Sequence, residues 1–158
     1  MMPGAAVGAL LAPISGRVLD TFGPKKPILL GLSFATIGWI ILTVLLRSPL
    51  LLGFVAGHVF YMIGIGFSYS NLMTTGMNLL SEEAYGDGNT LFNTLQQFSG
   101  AVATAIVATI INLAQQSQPD FIAATVTGSQ ISLLFLLALL VLVLIACVLH
   151  FRNEPAVD

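Results

Sequence analysis

Charged residues are scarce in this chain of 158 residues. Only 8% of the residues are charged and 56% are hydrophobic, whereas soluble domains have about 25% charged and about 45–50% apolar residues. The chain has 5 Lys and Arg against 7 Asp and Glu, a net charge of -2, so it lacks the cationic surface that binds nucleic-acid phosphates. A water-soluble fold and a nucleic-acid-binding function are therefore excluded.

Cysteine and histidine are equally scarce. The single cysteine, Cys147, excludes an internal disulfide, and the two isolated histidines match no metal-ligand spacing. The sequence pairs no nucleophile with a base and no two carboxylates in a pattern typical of acid–base catalysis. We therefore predict no metal, no cofactor and no enzymatic activity.

Long hydrophobic stretches dominate the remaining sequence. A helix needs about 20 largely apolar residues to cross roughly 30 Å of hydrocarbon, and five stretches satisfy this requirement. A barrel strand would show alternating hydrophobicity, which residues 131–149 do not. We predict an all-α, polytopic membrane helix bundle with about five transmembrane helices, at approximately residues 1–19, 28–46, 50–74, 90–114 and 129–150.

Short connections separate the predicted helices. Residues 81–88 are acidic and contain two glycines, and residues 115–128 are polar and contain Pro119. Both segments are predicted to be loops. No connection is long enough for a separate soluble domain, so a single transmembrane bundle is expected.

The cations indicate an orientation in the membrane. Arg17, Lys25 and Lys26 flank the first predicted loop and Arg152 follows the last predicted helix, and five crossings place both regions on one side. The positive-inside rule makes that side cytoplasmic. We predict a multi-pass protein of the cytoplasmic membrane whose amino terminus is outside and whose carboxy terminus is cytoplasmic.

Small residues recur at helical spacing in the first and third predicted helices. Such a stripe lets two helices approach closely in a membrane. Close packing is one interpretation of these positions, and bending during a transport cycle is the other. The positions are Gly4, Gly8, Ala12 and Gly16 in the first helix and Gly53, Gly57, Gly64 and Ser68 in the third.

The fourth predicted helix carries amides and a hydroxyl at intervals of three and four residues, so they share one face. Amides inside a membrane cost free energy unless they are paired or hydrated, so this face points to other helices or to a water-filled cavity. Structural hydrogen bonding and a substrate-facing wall both fit the pattern. The candidate substrate-path residues on this face are Asn93, Gln96, Gln97, Thr104 and Asn112.

An ionisable side chain, His58, lies within the third predicted helix, and Tyr61 follows it one turn later. An ionisable group inside a membrane is a candidate functional residue, so both join the substrate-path candidates. A neutral, hydrogen-bonded histidine is the alternative interpretation. The predicted spans contain no carboxylate, so if this protein couples transport to protons, the coupling carboxylate is expected outside this chain.

The loop between the first two predicted helices contains the most specific motif in the chain. Its residues are Gly16, Arg17, Asp20, Gly23, Lys25 and Lys26. This order of glycine, aspartate, glycine and basic residues resembles the cytoplasmic loop motif of the major facilitator superfamily. Gly23 permits a tight reversal, and the lysines hold the loop in the cytoplasm. Thr21 and Pro24 depart from the family pattern.

Two flanking segments are similar to the drug:proton antiporter branch of that family, which has fourteen transmembrane helices. Residues 12–17 resemble the helix before the second copy of the loop, and residues 88–100 resemble the penultimate helix, with Gln96 where relatives often carry arginine. The resemblance implies that the chain is the carboxy-terminal bundle of a secondary active efflux transporter, whose amino-terminal half is absent. It further implies a small organic substrate exported in exchange for protons by alternating access. The alternative is a small standalone membrane protein that packs as a subunit against a larger membrane complex.

Overall fold

The fold is all-helical. The computed structural model describes residues 2–47 and 50–153, except for the side chains of residues 2–6, 8, 9 and 12. Within those residues no strand occurs, and a short 3-10 helix, Glu82–Ala84, follows the third α-helix. The predicted all-α membrane helix bundle is thereby confirmed. The α-helices are α1 (Met2–Phe22), α2 (Lys25–Leu45), α3 (Leu51–Met77), α4 (Tyr85–Ser117) and α5 (Phe121–Asn153).

The length and apolar composition of these helices suit a bilayer. Among the described residues, four helical segments are long and apolar enough to cross a membrane, and they correspond to α2, α3, the 3-10 helix with α4, and α5. Helix α1 is not one of those four, although it has 21 residues. Helices α4 and α5 have 33 residues each, which corresponds to about 50 Å and exceeds the hydrocarbon thickness of roughly 30 Å. Each is therefore longer than one crossing perpendicular to the bilayer requires.

The connection between α4 and α5 is much shorter than the polar segment 115–128 suggests. Only residues 118–120 separate the two helices. The Oδ1 atom of Asp120 accepts hydrogen bonds from the backbone N–H groups of Ile122 and Ala123, at 2.9 and 3.1 Å. This is an N-cap, which satisfies two donors that the first helical turn leaves unpaired. It explains why α5 begins at Phe121.

The acidic segment 81–88 is likewise only partly a loop. The 3-10 helix occupies Glu82–Ala84, and α4 begins at Tyr85 with Asp87 in its first turn. A carboxylate near a helix N-terminus interacts favourably with the positive end of the helix dipole. Composition alone missed this, because acidic residues are typical of loops and of first helical turns.

The chain divides into two structural units, of which the first comprises Met1–Leu72 and Leu136–Asp158. In this unit α2 and α3 approach each other closely through small residues. A Cβ atom added to Gly31 would lie 2.5 Å from the backbone N of Ser68, and one added to Gly64 would overlap the backbone of Ala35. The close packing predicted for the small residues of α3 is therefore confirmed at Gly64, and its partner surface is a set of small residues on α2.

The end of α5 packs on the start of α2 in the same unit. Ile28, Leu32 and Phe151 form a buried apolar cluster, and Cys147 is among the side chains packed against it. Lys25 Nζ donates a hydrogen bond to the backbone carbonyl of Phe151 at 3.2 Å. Both apolar burial and a charge-assisted hydrogen bond thus hold these two helix ends together.

The second unit, Met73–Phe135, is built around the α4–α5 hairpin. A Cβ atom added to Gly128 of α5 would lie 2.8 Å from the Cα of Ile111 on α4. Gln115 Nε2 donates a hydrogen bond to Thr125 Oγ1 at 2.8 Å across the same contact. Gly128 is thus a helix-packing residue and not the loop residue that the sequence suggested.

Candidate functional site

The predicted polar face of α4 is largely uncovered in the second unit. Gln96, Gln97, Thr104 and Asn112 are exposed, and Asn93 is half-buried. Among the described residues of α4, the only buried side chain is that of Ala114. The apolar residues of the same helix are exposed as well, for example Phe98, so α4 presents two chemically different faces along its length.

Several polar groups on this face are satisfied within α4 itself. Asn93 Nδ2 donates hydrogen bonds to the backbone carbonyl and to Oδ1 of Asn89, at 2.8 and 3.0 Å. Thr104 Oγ1 donates to the carbonyl of Gly100 at 2.8 Å. Such bonds to the preceding turn lower the cost of placing amides and hydroxyls in an apolar layer. The carbonyl oxygens of the amides keep acceptor capacity for a ligand or for water.

Near the carboxy-terminal end of α4, a shallow cleft of about 290 Å³ is lined by Ala108, Thr109, Asn112 and Leu113. Asn112 Oδ1 accepts a hydrogen bond from Gln116 Nε2 at 2.6 Å. Asn112 is thus the one substrate-path candidate that borders this cleft. The cleft mixes polar and apolar groups and is widely open to its surroundings.

The other two substrate-path candidates belong to the first unit. Tyr61 packs against Trp39 of α2 with the ring centroids 5.0 Å apart and the ring planes at 60°. His58 lies one turn earlier on α3 and is half-buried. Tyr61 therefore has a clear structural contact at the α2–α3 interface.

A buried polar pair between α1 and α3 was missed by the sequence analysis. Asn71 Nδ2 donates hydrogen bonds to Ser15 Oγ and to the carbonyl of Phe67, both at 2.7 Å. The side chains of Ser15 and Asn71 are 0% and 1% exposed, so this amide is fully removed from solvent. The signal was an asparagine inside a predicted span, which the regular polar spacing of α4 overshadowed.

The loop motif connects α1 to α2 by a tight turn. Gly23 has a φ of +72°, and its N–H donates to the carbonyl of Leu19 at 2.9 Å. This is the αL cap that ends many helices and favours glycine. Nothing lies within 4 Å of a Cβ added to Gly16, and the small residues before it, Gly4, Gly8 and Ala12, lie outside the residues whose side chains are described.

The charged residues of the motif face outward. Arg17, Asp20, Lys25 and Lys26 are all exposed, and Lys26 Nζ lies 4.3 Å from the centroid of the Phe22 ring. In the part of the chain that the structure describes, no group of His, Cys, Asp and Glu side chains has the arrangement of a metal site. The motif is therefore a compact, positively charged turn at one end of the first unit.

Comparison with known proteins agrees with this motif and with the helical fold. The family model of the Major Facilitator Superfamily matches residues 1–104, which include the whole loop motif. The chain is 34% identical over 117 residues to the lincomycin resistance protein LmrB of Listeria innocua, covering 74% of this chain and 25% of that protein. The chain therefore belongs to the Major Facilitator Superfamily and is a multi-pass membrane protein.

Two further relatives carry related names. The lincomycin resistance protein LmrB of Bacillus subtilis is 30% identical over 115 residues, covering 73% of this chain and 24% of that protein. A multidrug resistance protein B homolog of Mycobacterium tuberculosis is 29% identical over 108 residues, covering 66% and 20%. The chain thus spans about a quarter of the length of these relatives or less. No solved structure matches the chain.

Proposed function

We propose that this chain is the carboxy-terminal bundle of a secondary active drug-efflux transporter, not an enzyme. The observation that carries the proposal is the exposed polar face of α4 in a chain that matches one quarter of the length of relatives named for lincomycin resistance. Amides at membrane depth need helices or water to cover them. The rest of the transporter supplies that cover, and the α4 face forms part of the substrate wall.

Each substrate-path residue has a proposed contribution to that wall. Asn93, Gln97 and Asn112 offer amide oxygens and N–H groups to polar parts of a small organic substrate, and Thr104 and Gln96 extend the same face. His58 and Tyr61 are proposed to line the path from α3. Transport proceeds by alternating access between two halves of the complete protein.

Proton exchange drives export in this proposal. The described helices place no Asp or Glu within the predicted spans, so the coupling carboxylate belongs to the amino-terminal part of the transporter. The proposed orientation puts the loop motif and the carboxy terminus in the cytoplasm, because four of the five cations lie there. The amino terminus of this chain then lies outside.

The alternative, a standalone subunit docking through its glycine stripes, receives less support from the contacts. Gly57 and Gly64 of the α3 stripe are occupied by the contact with α2 inside the chain. They are therefore not available as a docking surface for a separate protein.

The wall is tested by paired threonine substitutions in the complete transporter expressed in bacterial cells. Thr104 Oγ1 and Thr127 Oγ1 each donate to the carbonyl four residues earlier, at 2.8 and 2.9 Å. Thr104 lies on the proposed wall, whereas Thr127 lies on α5, outside it. We expect Thr104→Val to impair lincomycin export and Thr127→Val to leave it unchanged.

A stronger effect is expected when Asn93 and Gln97 are both replaced by leucine. Losing about 1.4 kcal/mol of hydrogen bonding to the substrate lowers its affinity about tenfold. Export of lincomycin and of a cationic dye is measured at matched expression, with and without a protonophore. Export that is unchanged in the double variant would remove the wall assignment, and export that a protonophore does not affect would remove the proton coupling.

A further inference from the structure

The first unit carries a cluster of cations where α2 begins and α5 ends. Lys25 Nζ lies 3.2 Å from the carbonyl oxygen of Phe151, and that carbonyl carbon is bonded to the backbone N of Arg152. With peptide bonds of about 1.2 and 1.3 Å, Lys25 Nζ lies at most about 6 Å from this nitrogen. Lys26 follows Lys25 directly. The backbones of three cationic residues thus lie together at one edge of the unit.

The cluster is fixed in place by the packing beneath it. Phe151 is 6% exposed and packs in the apolar cluster with Ile28 and Leu32. Because Phe151, next to Arg152, and Ile28, one helical turn after Lys25, are both held in this cluster, the backbone positions of the two cationic residues are held together. The site is therefore built by tertiary structure and not by chance proximity of flexible side chains.

The charges of the cluster are exposed, and among the described residues no ion pair holds them. Lys25, Lys26 and Arg152 are exposed. Asp20 is the carboxylate of this unit within the described residues, and no ion pair there links it to the three cations. One of the three N–H donors of Lys25 is hydrogen-bonded to the Phe151 carbonyl, so two remain for an anion.

The neighbouring groups place the cluster at the depth of lipid headgroups. Lys26 Nζ lies over the Phe22 ring at 4.3 Å, and that ring is 55% exposed. A cation–π interaction holds the ammonium group above this ring. The apolar span of α2 begins at this edge and that of α5 ends there, so the cationic residues lie where the hydrocarbon layer ends.

We propose that Lys25, Lys26 and Arg152 form a binding site for the phosphate of an anionic phospholipid. The phosphodiester is held by the ammonium groups and the guanidinium, while the acyl chains lie along the exposed apolar surface of α5. Each Lys or Arg close to an anionic membrane surface contributes about 1 kcal/mol, about a fivefold preference. The site goes beyond the transport function, since it depends only on insertion into a bilayer.

The test uses a fluorescent label beside the cluster. Cys147 is the only cysteine in the chain, so Cys147→Ser combined with Asn153→Cys places one dye at the end of α5, next to Arg152. The labelled full chain is reconstituted into phosphatidylcholine vesicles that contain one part in five of a brominated lipid. That lipid is phosphatidylglycerol in one sample and phosphatidylcholine in the other.

We expect brominated phosphatidylglycerol to quench the dye at least threefold more strongly than brominated phosphatidylcholine. The combined Lys25→Gln, Lys26→Gln and Arg152→Gln variant should lower this ratio to about one. As a matched single change, Arg152→Gln should lower the ratio part of the way towards one, whereas Arg47→Gln, which removes a cation beyond the other end of α2, should not. Equal quenching by the two lipids in the unsubstituted labelled chain would overturn the proposal.

Two further arms separate the possible origins of the signal. Raising the salt from about 0.1 to about 1 M shortens the Debye length from about 10 to about 3 Å, and the ratio should fall. Inorganic phosphate at millimolar concentration should leave the ratio unchanged; complete displacement would identify a free-phosphate site and contradict the lipid assignment. Trp39 fluorescence checks the fold of each variant. If the triple variant does not fold, the quenching ratio measured for Arg152→Gln decides the test.

Discussion

Asn71 Nδ2 on α3 donates a hydrogen bond of 2.7 Å to Ser15 Oγ on α1, and both side chains are almost completely buried. Asn71 Nδ2 also donates a hydrogen bond to the carbonyl of Phe67 at 2.7 Å. This pair is a polar contact between two helices in an otherwise apolar environment. Its two partners lie 56 residues apart in the chain, so it specifies how α1 packs on α3.

A double-mutant cycle measures this contact. Ser15→Ala leaves an Asn71 N–H unpaired, and Asn71→Ala removes both hydrogen bonds; each should lower the free energy of unfolding by about 1–2 kcal/mol. The coupling energy of the pair should be about 0.5–1.5 kcal/mol. The measurement is thermal unfolding in detergent followed by circular dichroism. Asn112→Ala, at an exposed position, serves as the control and should cost less than about 0.5 kcal/mol. Strictly additive single effects would show that the two residues act independently.

The approach of α2 to α3 predicts a strong effect of one methyl group. Gly64→Ala would force a Cβ into the backbone of Ala35, so the helices must separate and the variant should lose about 1–3 kcal/mol of stability. Trp39 reports on the change, because it packs against Tyr61 at the same interface. Its fluorescence should shift in this variant.

The control for that substitution is Gly100→Ala on α4, where nothing lies within 4 Å of the added Cβ. Alanine in a helix is favoured over glycine by about 0.5–1 kcal/mol, so this variant should be neutral or slightly more stable. If both variants unfold at the same temperature, the close contact does not contribute to stability.

Gly23 is predicted to be required because of its backbone conformation and not because a larger side chain would clash. Nothing lies within 4 Å of a Cβ added to Gly23 or to Gly16, but only Gly23 has a positive φ, +72°. Gly23→Ala should therefore cost about 1–2 kcal/mol in the left-handed conformation, while Gly16→Ala should cost nothing. Unfolding temperatures of the two variants, compared in the same detergent, decide between these effects. A loss of stability in Gly16→Ala alone would contradict this account of the turn.

Asp120 should determine where α5 begins. Asp120→Ala removes the acceptor for the N–H groups of Ile122 and Ala123 and should cost about 0.5–2 kcal/mol. Amide hydrogen exchange at the first turn of α5 should become faster. Asp120→Asn keeps an acceptor oxygen and should exchange nearly as slowly as the unsubstituted chain. Exchange that is equally slow in Asp120→Ala would show that helix packing, and not the cap, orders this turn.

Sequence patterns located the helices well because the bilayer leaves few alternatives. A backbone in hydrocarbon must satisfy its own hydrogen bonds, so each long apolar stretch is a helix. The turn at Gly23 was also predictable, since glycine is favoured where φ is positive. The positions of helix ends were less predictable. Most of the polar segment 115–128 is helical, because Asp120 caps the start of α5 and Gly128 packs against α4.

The candidate site was likewise predictable from the sequence only in part. The spacing of Asn93, Gln97 and Thr104 on one helical face follows from the period of 3.6 residues, whereas the pairing of Asn71 with Ser15 required two distant segments to meet. The small residues Gly31 and Ala35 of α2 were not singled out, because a stripe of small residues acquires meaning only when its partner helix is known. The convergence of Lys25 and Arg152 was equally hidden, since 126 residues separate Lys25 from Phe151.

Hydropathy and helical periodicity thus decided that this protein lies in a membrane, that it is helical, and that α4 has a polar face. These properties depend on local composition and on the solvent around each segment, so they can be read along the chain. The tertiary structure alone decided that α2 and α3 approach at Gly64, that Asn71 is paired with Ser15, and that the cations of α2 meet the end of α5. Those contacts depend on which distant residues share a small volume, which is a property of packing and not of local sequence.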